Sequence, residues 1–263
     1  MGDHDSWYTL LMPEFWARLE HGAAEALQRD WQFMMFKATH FTLVHVAGAL
    51  LAFVFAIFLA LRYRASLHDE TQGVVPPRRF TLAAMTDRFV GAVYSLSVDV
   101  MGEKDAKRYL PLTGSLAIFI FLCNLQGLIP GLLPPTDTLK TNLGLALLVF
   151  VVYMVSGLVR NGMGFLGHFL GPKIGGFPWL FPLFLPIEIV SHLARPVSLS
   201  LRLTGNIVAD HKVVGVVAFM VPLLVPLPFL LLGTVVAIVQ TLVFTLLAII
   251  YIGLAVEHHE EGH

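Results

Sequence analysis

The sequence predicts an all-α polytopic membrane protein of about five transmembrane helices, with an additional interfacial helix or hairpin. Three observations carry this. Hydrophobic residues make up 56% of the 263-residue chain and charged residues only 13%, about half the charge of a soluble domain. Mean hydropathy is +0.74. Apolar stretches of about 20 residues, the length a helix needs to cross a bilayer, recur along the chain.

Residues 1–40 are acidic and aromatic and lack a basic stretch leading into an apolar core, so they read as an outside segment and not as a cleavable signal. The first span, 41–61, ends in Arg62-Tyr63-Arg64. The segment 62–110 carries Arg62, Arg64, Arg78, Arg79, Arg88, Lys104, Lys107 and Arg108, and the positive-inside rule makes it cytoplasmic. Within it, 80–101 mixes apolar and polar residues and reads as a helix lying on the membrane, or else a partly inserted hairpin. A transmembrane hairpin follows over 111–159, with Asn124 and Gln126 in its first arm and Arg160 just past its second. The loop 160–176 is cytoplasmic by its Arg160 and Lys173. A long helical hairpin occupies 177–256, interrupted by Pro182, Pro186 and Pro196, and 257–263 forms a cytoplasmic tail. Both helices of this hairpin exceed a perpendicular span, and tilt absorbs the excess. The count places the N-terminus outside and the C-terminus inside.

Net charge is −1, so nothing draws the chain to nucleic acid. One cysteine, Cys123, excludes an internal disulfide and a cysteine metal knuckle. The sequence contains neither a Gly-x-x-x-x-Gly-Lys-Ser/Thr loop nor a Gly-x-Ser-x-Gly elbow. His259-Glu260-Glu261-Gly262-His263 matches a zinc-protease pattern, but it contains a glycine and lacks a stable helix, so it reads as a solvated tail. No metal and no cofactor are expected.

The chemistry concentrates on the penultimate helix. Glu188, Ser191, Arg195, Ser198, Arg202, Asn206 and Asp210 recur every three or four residues, which places them within about a third of the helix circumference. The stripe is about 33 Å long, the thickness of the hydrocarbon core. Arg195 reads as a snorkelling side chain. Arg202 lies deeper, at an insertion cost of at least ~2.5–3.5 kcal/mol, and scaffolding has cheaper residues. Glu188 and Asp210 flank it at about 21 Å and about 12 Å along the axis. His192 and His211 adjoin the stripe; histidine and desolvated carboxylates both relay protons. His192 reads first as a buried, hydrogen-bonded histidine, His211 as part of a polar cluster with Asp210 and Lys212. Gln240 is the main uncharged polar group of the last span and reaches the Arg202 region only if the two helices are offset or tilted. Asn124 and Gln126 suit channel lining and packing equally. Proton carriers at two depths, parted by a fixed cation, describe two half-pathways with a barrier between them. A stand-alone ion-coupled secondary transporter is the alternative, though such folds tend to be built on internal repeats and none is visible.

The blocks "RPVSLSLRLTGNIVADH" and "QTLVFTLLAIIYIGLAVEHHEE" resemble subunit a of F-type ATP synthases, as do "FLCNLQGLIPG", "PPTDTLKTNLGLAL" and "PIEIVSHL" in the same order. The resemblance covers roughly 80–261. It implies a non-catalytic, proton-translocating stator subunit in a bacterial inner membrane. Its partners would be a rotor ring of c subunits, b-type peripheral stalk subunits, the other synthase subunits and lipid. The last two helices would lie tilted along the ring. Arg202 would be the essential arginine between two half-channels, with Glu188, Asn206 and Gln240 at matching family positions. Ser191, Ser198, Asp210 and His211 complete the proposed proton path, and Asn124 and Gln126 are candidate outer lining. The chain departs from the family pattern at Gly127, where members often carry an acid, at Lys140, commonly Asn, and at Asp210-His211, a Gly-Glu pair in some members. These departures imply a differently lined outer half-channel.

Overall fold

The computed structural model describes residues 11–28, 44–66, 81–129, 132–162, 181–220 and 226–256. The tail 257–263, most of the loop 160–176 and much of the turn between the last two helices lie outside the described residues. Among the described residues there are six helices: α1 Pro13–Gln28, α2 Val44–Ser66, α3 Leu82–Gln126, α4 Leu139–Asn161, α5 Phe181–Met220 and α6 Pro226–Val256, with a 3-10 turn at Pro135–Asp137. Four of them, α2, α3, α4 and α6, contain stretches long and apolar enough to cross a membrane. The other predicted span is α5, whose 40 residues reach about 60 Å but carry the polar stripe.

Helix α3 is two arms. Thr81 caps its start, accepting from Ala84 N–H at 3.3 Å, and Gly102 breaks it with φ 78° and ψ 165°, a conformation open essentially only to glycine. The Phe89 and Phe121 rings lie 5.6 Å apart, whereas an unbroken helix would separate them by about 48 Å. The chain therefore folds back at Gly102. Val93 of the first arm, Ala117 of the second and Ile249 of α6 form one buried cluster. Residues 82–101 are thus one helical arm laid against the second arm of α3.

The second arm of α3 joins α4, α5 and α6 in the main core: Leu116 and Ile120, Ala146 and Val149, Leu199, Leu203 and Ile207, Phe244 and Ala248. In lipid such a cluster gains little from water exclusion, so close van der Waals packing and interhelical hydrogen bonds must hold it. Both are present. Gly253 of α6 sits against Val100, leaving no room for a β-carbon without displacement, so two backbones approach closely. The polar network is buried: Thr136 Oγ1 donates to Asn124 Oδ1 at 2.9 Å, Asn124 Nδ2 to Thr241 Oγ1 at 3.4 Å, and Asn142 Nδ2 to Thr136 O at 2.6 Å and Thr204 Oγ1 at 2.7 Å. It ties α3, the 3-10 turn, α4, α5 and α6 together.

The molecule has two distinct ends. At one lie the Gly102 bend, an Arg160–Asp105 fork with both N···O distances 3.3 Å, and the Asn161 amide donating to Ala255 O at 3.1 Å. Lys104, Lys107, Arg108 and Arg160 gather there. At the other end, Gln126 Nε2 donates to Gly48 O at 3.2 Å and the proline-rich 3-10 turn packs on α2, where a β-carbon on Gly48 would crowd Pro135.

Candidate functional site

Helix α5 presents two faces. His192, Pro196, Leu199, Leu203 and Ile207 are buried against the core. Ser191, Ser198, Arg202 and Asn206 are exposed, while Glu188, Arg195 and Asp210 at the ends and shoulder of the stripe are half-buried. The middle of the polar line thus faces away from the rest of the chain, and its two poles turn inward.

Arg202 has no hydrogen bond or ion pair among the described residues. Gly205, one turn on, is equally open: a β-carbon there would meet nothing within 4 Å. This chain's own packing therefore does not require the glycine. Ser198 Oγ donates to Arg195 O at 3.1 Å, satisfying itself on its own helix. Asn206 Nδ2 donates to Gln240 Oε1 at 2.8 Å. The offset of α5 and α6 thus brings Gln240 one turn past Arg202. Gln240 is buried, and its Nε2 has no partner among the described residues.

At the basic end, Glu188 Oε1 lies 3.1 Å from His192 Nε2. The other ring nitrogen, Nδ1, lies 3.0 Å from the Tyr153 hydroxyl of α4, and Arg195 donates to that hydroxyl at 3.2 Å. The Arg195 guanidinium also rests over the rings of Tyr153, 5.5 Å from its centroid, and Tyr251, at 5.3 Å. Arg195 does not snorkel away from the protein; the two tyrosines hold it inward, where cation–π attraction is stronger for being partly desolvated.

At the opposite pole, Asp210 meets α6 at Gly233. A β-carbon on Gly233 would collide with Asp210 Oδ2 and crowd Leu128, so the missing side chain is the space the carboxylate occupies. The His211 side chain lies outside the described residues. Asn124 and Gln126 are both buried in interhelical hydrogen bonds, the geometry of packing contacts. Among the described residues, no three His, Cys, Asp or Glu side chains gather as a metal site.

Sequence reasoning missed Tyr153, Tyr251 and Gly233. Each carried a faint signal, a polar-tipped ring or a glycine inside an apolar helix, but each acts through a residue far away in the chain.

Residues 43–253 match the family model described as ATP synthase A chain. The chain is 44% identical over 214 residues to ATP synthase subunit a of Sorangium cellulosum, covering 80% of this chain and 82% of that protein. It is 44% identical over 216 residues to ATP synthase subunit a 1 of Syntrophotalea carbinolica, covering 82% and 86%. It is 39% identical over 215 residues to ATP synthase subunit a of Bdellovibrio bacteriovorus, covering 81% and 92%. With the arginine-bearing helix packed on its glutamine-bearing partner and more than half its length matched, this chain is a membrane protein that belongs to the ATP synthase A chain family.

Proposed function

We propose that this subunit moves protons to and from the carboxylates of a rotating ring of c subunits, with Arg202 parting two half-channels. It carries no catalytic centre of its own; the nucleotide chemistry belongs to other subunits. The observation that carries the reading is the exposed middle of the α5 stripe. An unpaired guanidinium beside an unneeded glycine, Gly205, on a face this chain leaves uncovered, suits a partner helix that comes close. A guanidinium cannot be deprotonated in a protein. A ring carboxylate approaching it is driven to its charged form, and free protons meet an electrostatic barrier. The attraction must remain weak enough for release, which an exposed arginine satisfies better than a dry, locked bridge.

The poles supply the half-channels. Glu188, Ser191 and Ser198 would open to the cytoplasm, since the Glu188 end gathers the basic residues. Asp210, His211, Asn206 and Gln240 would serve the outer path. The N-terminus then lies outside and the C-terminus inside, with b-type stalk subunits restraining the stator.

The test is Arg202→Ala in vesicles carrying the whole complex. Synthesis under an imposed gradient should fall below detection, while the subunit remains assembled and carbodiimide-sensitive proton leak is retained or raised. Substantial synthesis by the variant would show that Arg202 is not the coupling element.

A further inference from the structure

We propose that α1, Pro13–Gln28, is a membrane-surface helix: its apolar side lies in the lipid boundary at the leaflet where α2 begins, held there by apolar burial and not by charge. On the orientation proposed above this is the outer leaflet. The inference uses no part of the proton path, so it holds or fails whatever Arg202→Ala does.

The helix divides along its length. At about 100° per residue, Phe15, Trp16 and Leu19, and Ala23 and Leu27 in the continuing sequence, fall within about a third of the circumference. Glu14, Arg18, His21 and Glu25 share the opposite side, and Glu20 stands at the boundary. Phe15 is 54% and Leu19 42% exposed, and the Phe15 and Trp16 rings meet edge to face at 6.0 Å. The chain therefore leaves much of this apolar side open. A 16-residue helix with three glutamates and one arginine is too short and too polar to span a bilayer. A helix apolar on one side and charged on the other suits the bilayer surface.

The tether makes lipid the occupant. Helix α2 is long and apolar enough to cross the membrane and begins at Val44. Residues 29–43 join it to α1, at most about 55 Å of extended chain. The apolar side of α1 is thus confined close to a bilayer, at a high effective concentration. The joining sequence carries Trp31, Phe33 and Phe36, aromatic residues of the kind that favour the membrane boundary. Charge sets the manner of docking. With glutamates outnumbering arginine, α1 lacks the basic side that draws amphipathic helices to anionic lipid. Apolar burial remains, and it is not screened by salt.

The test uses the complete complex in vesicles, with Cys123→Ala and a nitroxide on single introduced cysteines. Collisions with oxygen, which concentrates in lipid, are compared with collisions with a water-soluble nickel chelate. Nitroxides on Phe15→Cys, Leu19→Cys and Ala23→Cys should favour oxygen and report a depth of about 5–10 Å into the boundary. Those on Glu14→Cys, Arg18→Cys and His21→Cys should favour the chelate. The contrast should repeat about every 3.6 residues and survive molar salt. The Ala23→Cys reporter leaves Phe15 and Leu19 in place, so adding Phe15→Glu and Leu19→Glu should bring it within reach of the chelate. Chelate preference at every position would put α1 in water. Shielding of positions 15 and 19 from both reagents would mean that a protein surface covers them. Loss of the contrast in molar salt would make charge the hold, and an Ala23→Cys reporter indifferent to both glutamates would remove Phe15 and Leu19 from the contact. Each of these four results overturns the proposal.

Discussion

At the scale of single residues, the Asp210 pole of the α5 stripe turns on an absence. Asp210 and Gly233 are a pair because the carboxylate fills the volume a β-carbon would take. Adding a methyl at Gly233 must move the Asp210 carboxyl group, which is the flexible end of its side chain, and spares the helix, since alanine favours helix more than glycine does. Gly233→Ala should therefore leave the subunit assembled and slow gradient-driven synthesis by about five- to tenfold, the effect of displacing a working group at a cost near ~1 kcal/mol. Rates in Asp210→Ala vesicles should not fall further when Gly233→Ala is added; a full additional loss would mean that the glycine matters for something other than the carboxylate. Sequence reasoning found Asp210 because charge in an apolar run is conspicuous. Gly233 stayed hidden because its partner lies 23 positions away, and only the packing of α5 on α6 brings them together. The same holds for Tyr153, whose tip finds His192 across a helix boundary.

At the scale of elements, periodicity made the helices legible but not the path of the first cytoplasmic-looking segment. Its charges pull the reading towards a surface helix, and its apolar face points to partners that hydropathy does not name. The deciding residue is Gly102, whose φ of 78° and ψ of 165° let α3 reverse and lay Phe89 on Phe121. A β-carbon added there would meet nothing within 4 Å, so a substitution acts through backbone conformation. Gly102→Val should cost about 1–3 kcal/mol. We expect less subunit in the membrane, with synthesis per assembled complex unchanged, measured by immunoblot beside vesicle rates. A normal amount of subunit would show that the bend tolerates a side chain. Helix α5 teaches the converse. Its polar stripe was visible from spacing alone, while the assignment of each polar group to core, shoulder or open face required the neighbouring helices.

At the scale of the whole molecule, two separate facts coincide. The Glu188–His192–Tyr153 chain stands at the end where the Gly102 bend, Asp105, Arg160 and the close of α6 meet, and the Asp210–Gly233 contact stands towards the end held by the proline-rich turn and α2. Charge asymmetry of loops orients a membrane protein, and on the proposed function the basic residues of the first end set that end towards the cytoplasm. On the proposed reading, the exposed side of α5 beyond Glu188 is the route along which water entering from the cytoplasm reaches towards the ring. Ser191 and Ser198 mark that route: both are exposed, and neither is committed to holding another helix. Cysteine at either position, in a chain where the fully buried Cys123 is replaced by alanine, should react with a membrane-impermeant thiol reagent added to the cytoplasmic face of assembled complex. Ser191, nearer the Glu188 pole, should react faster than Ser198, which lies closer to the face offered to the ring. Cysteine in place of Leu199, 2% exposed in the core, should stay unlabelled and serves as the dry reference. Labelling of both serine positions from the outer face alone would reverse the orientation, and silence at both from either face would mean that the ring seals this side of α5 and that protons leave Glu188 by another path.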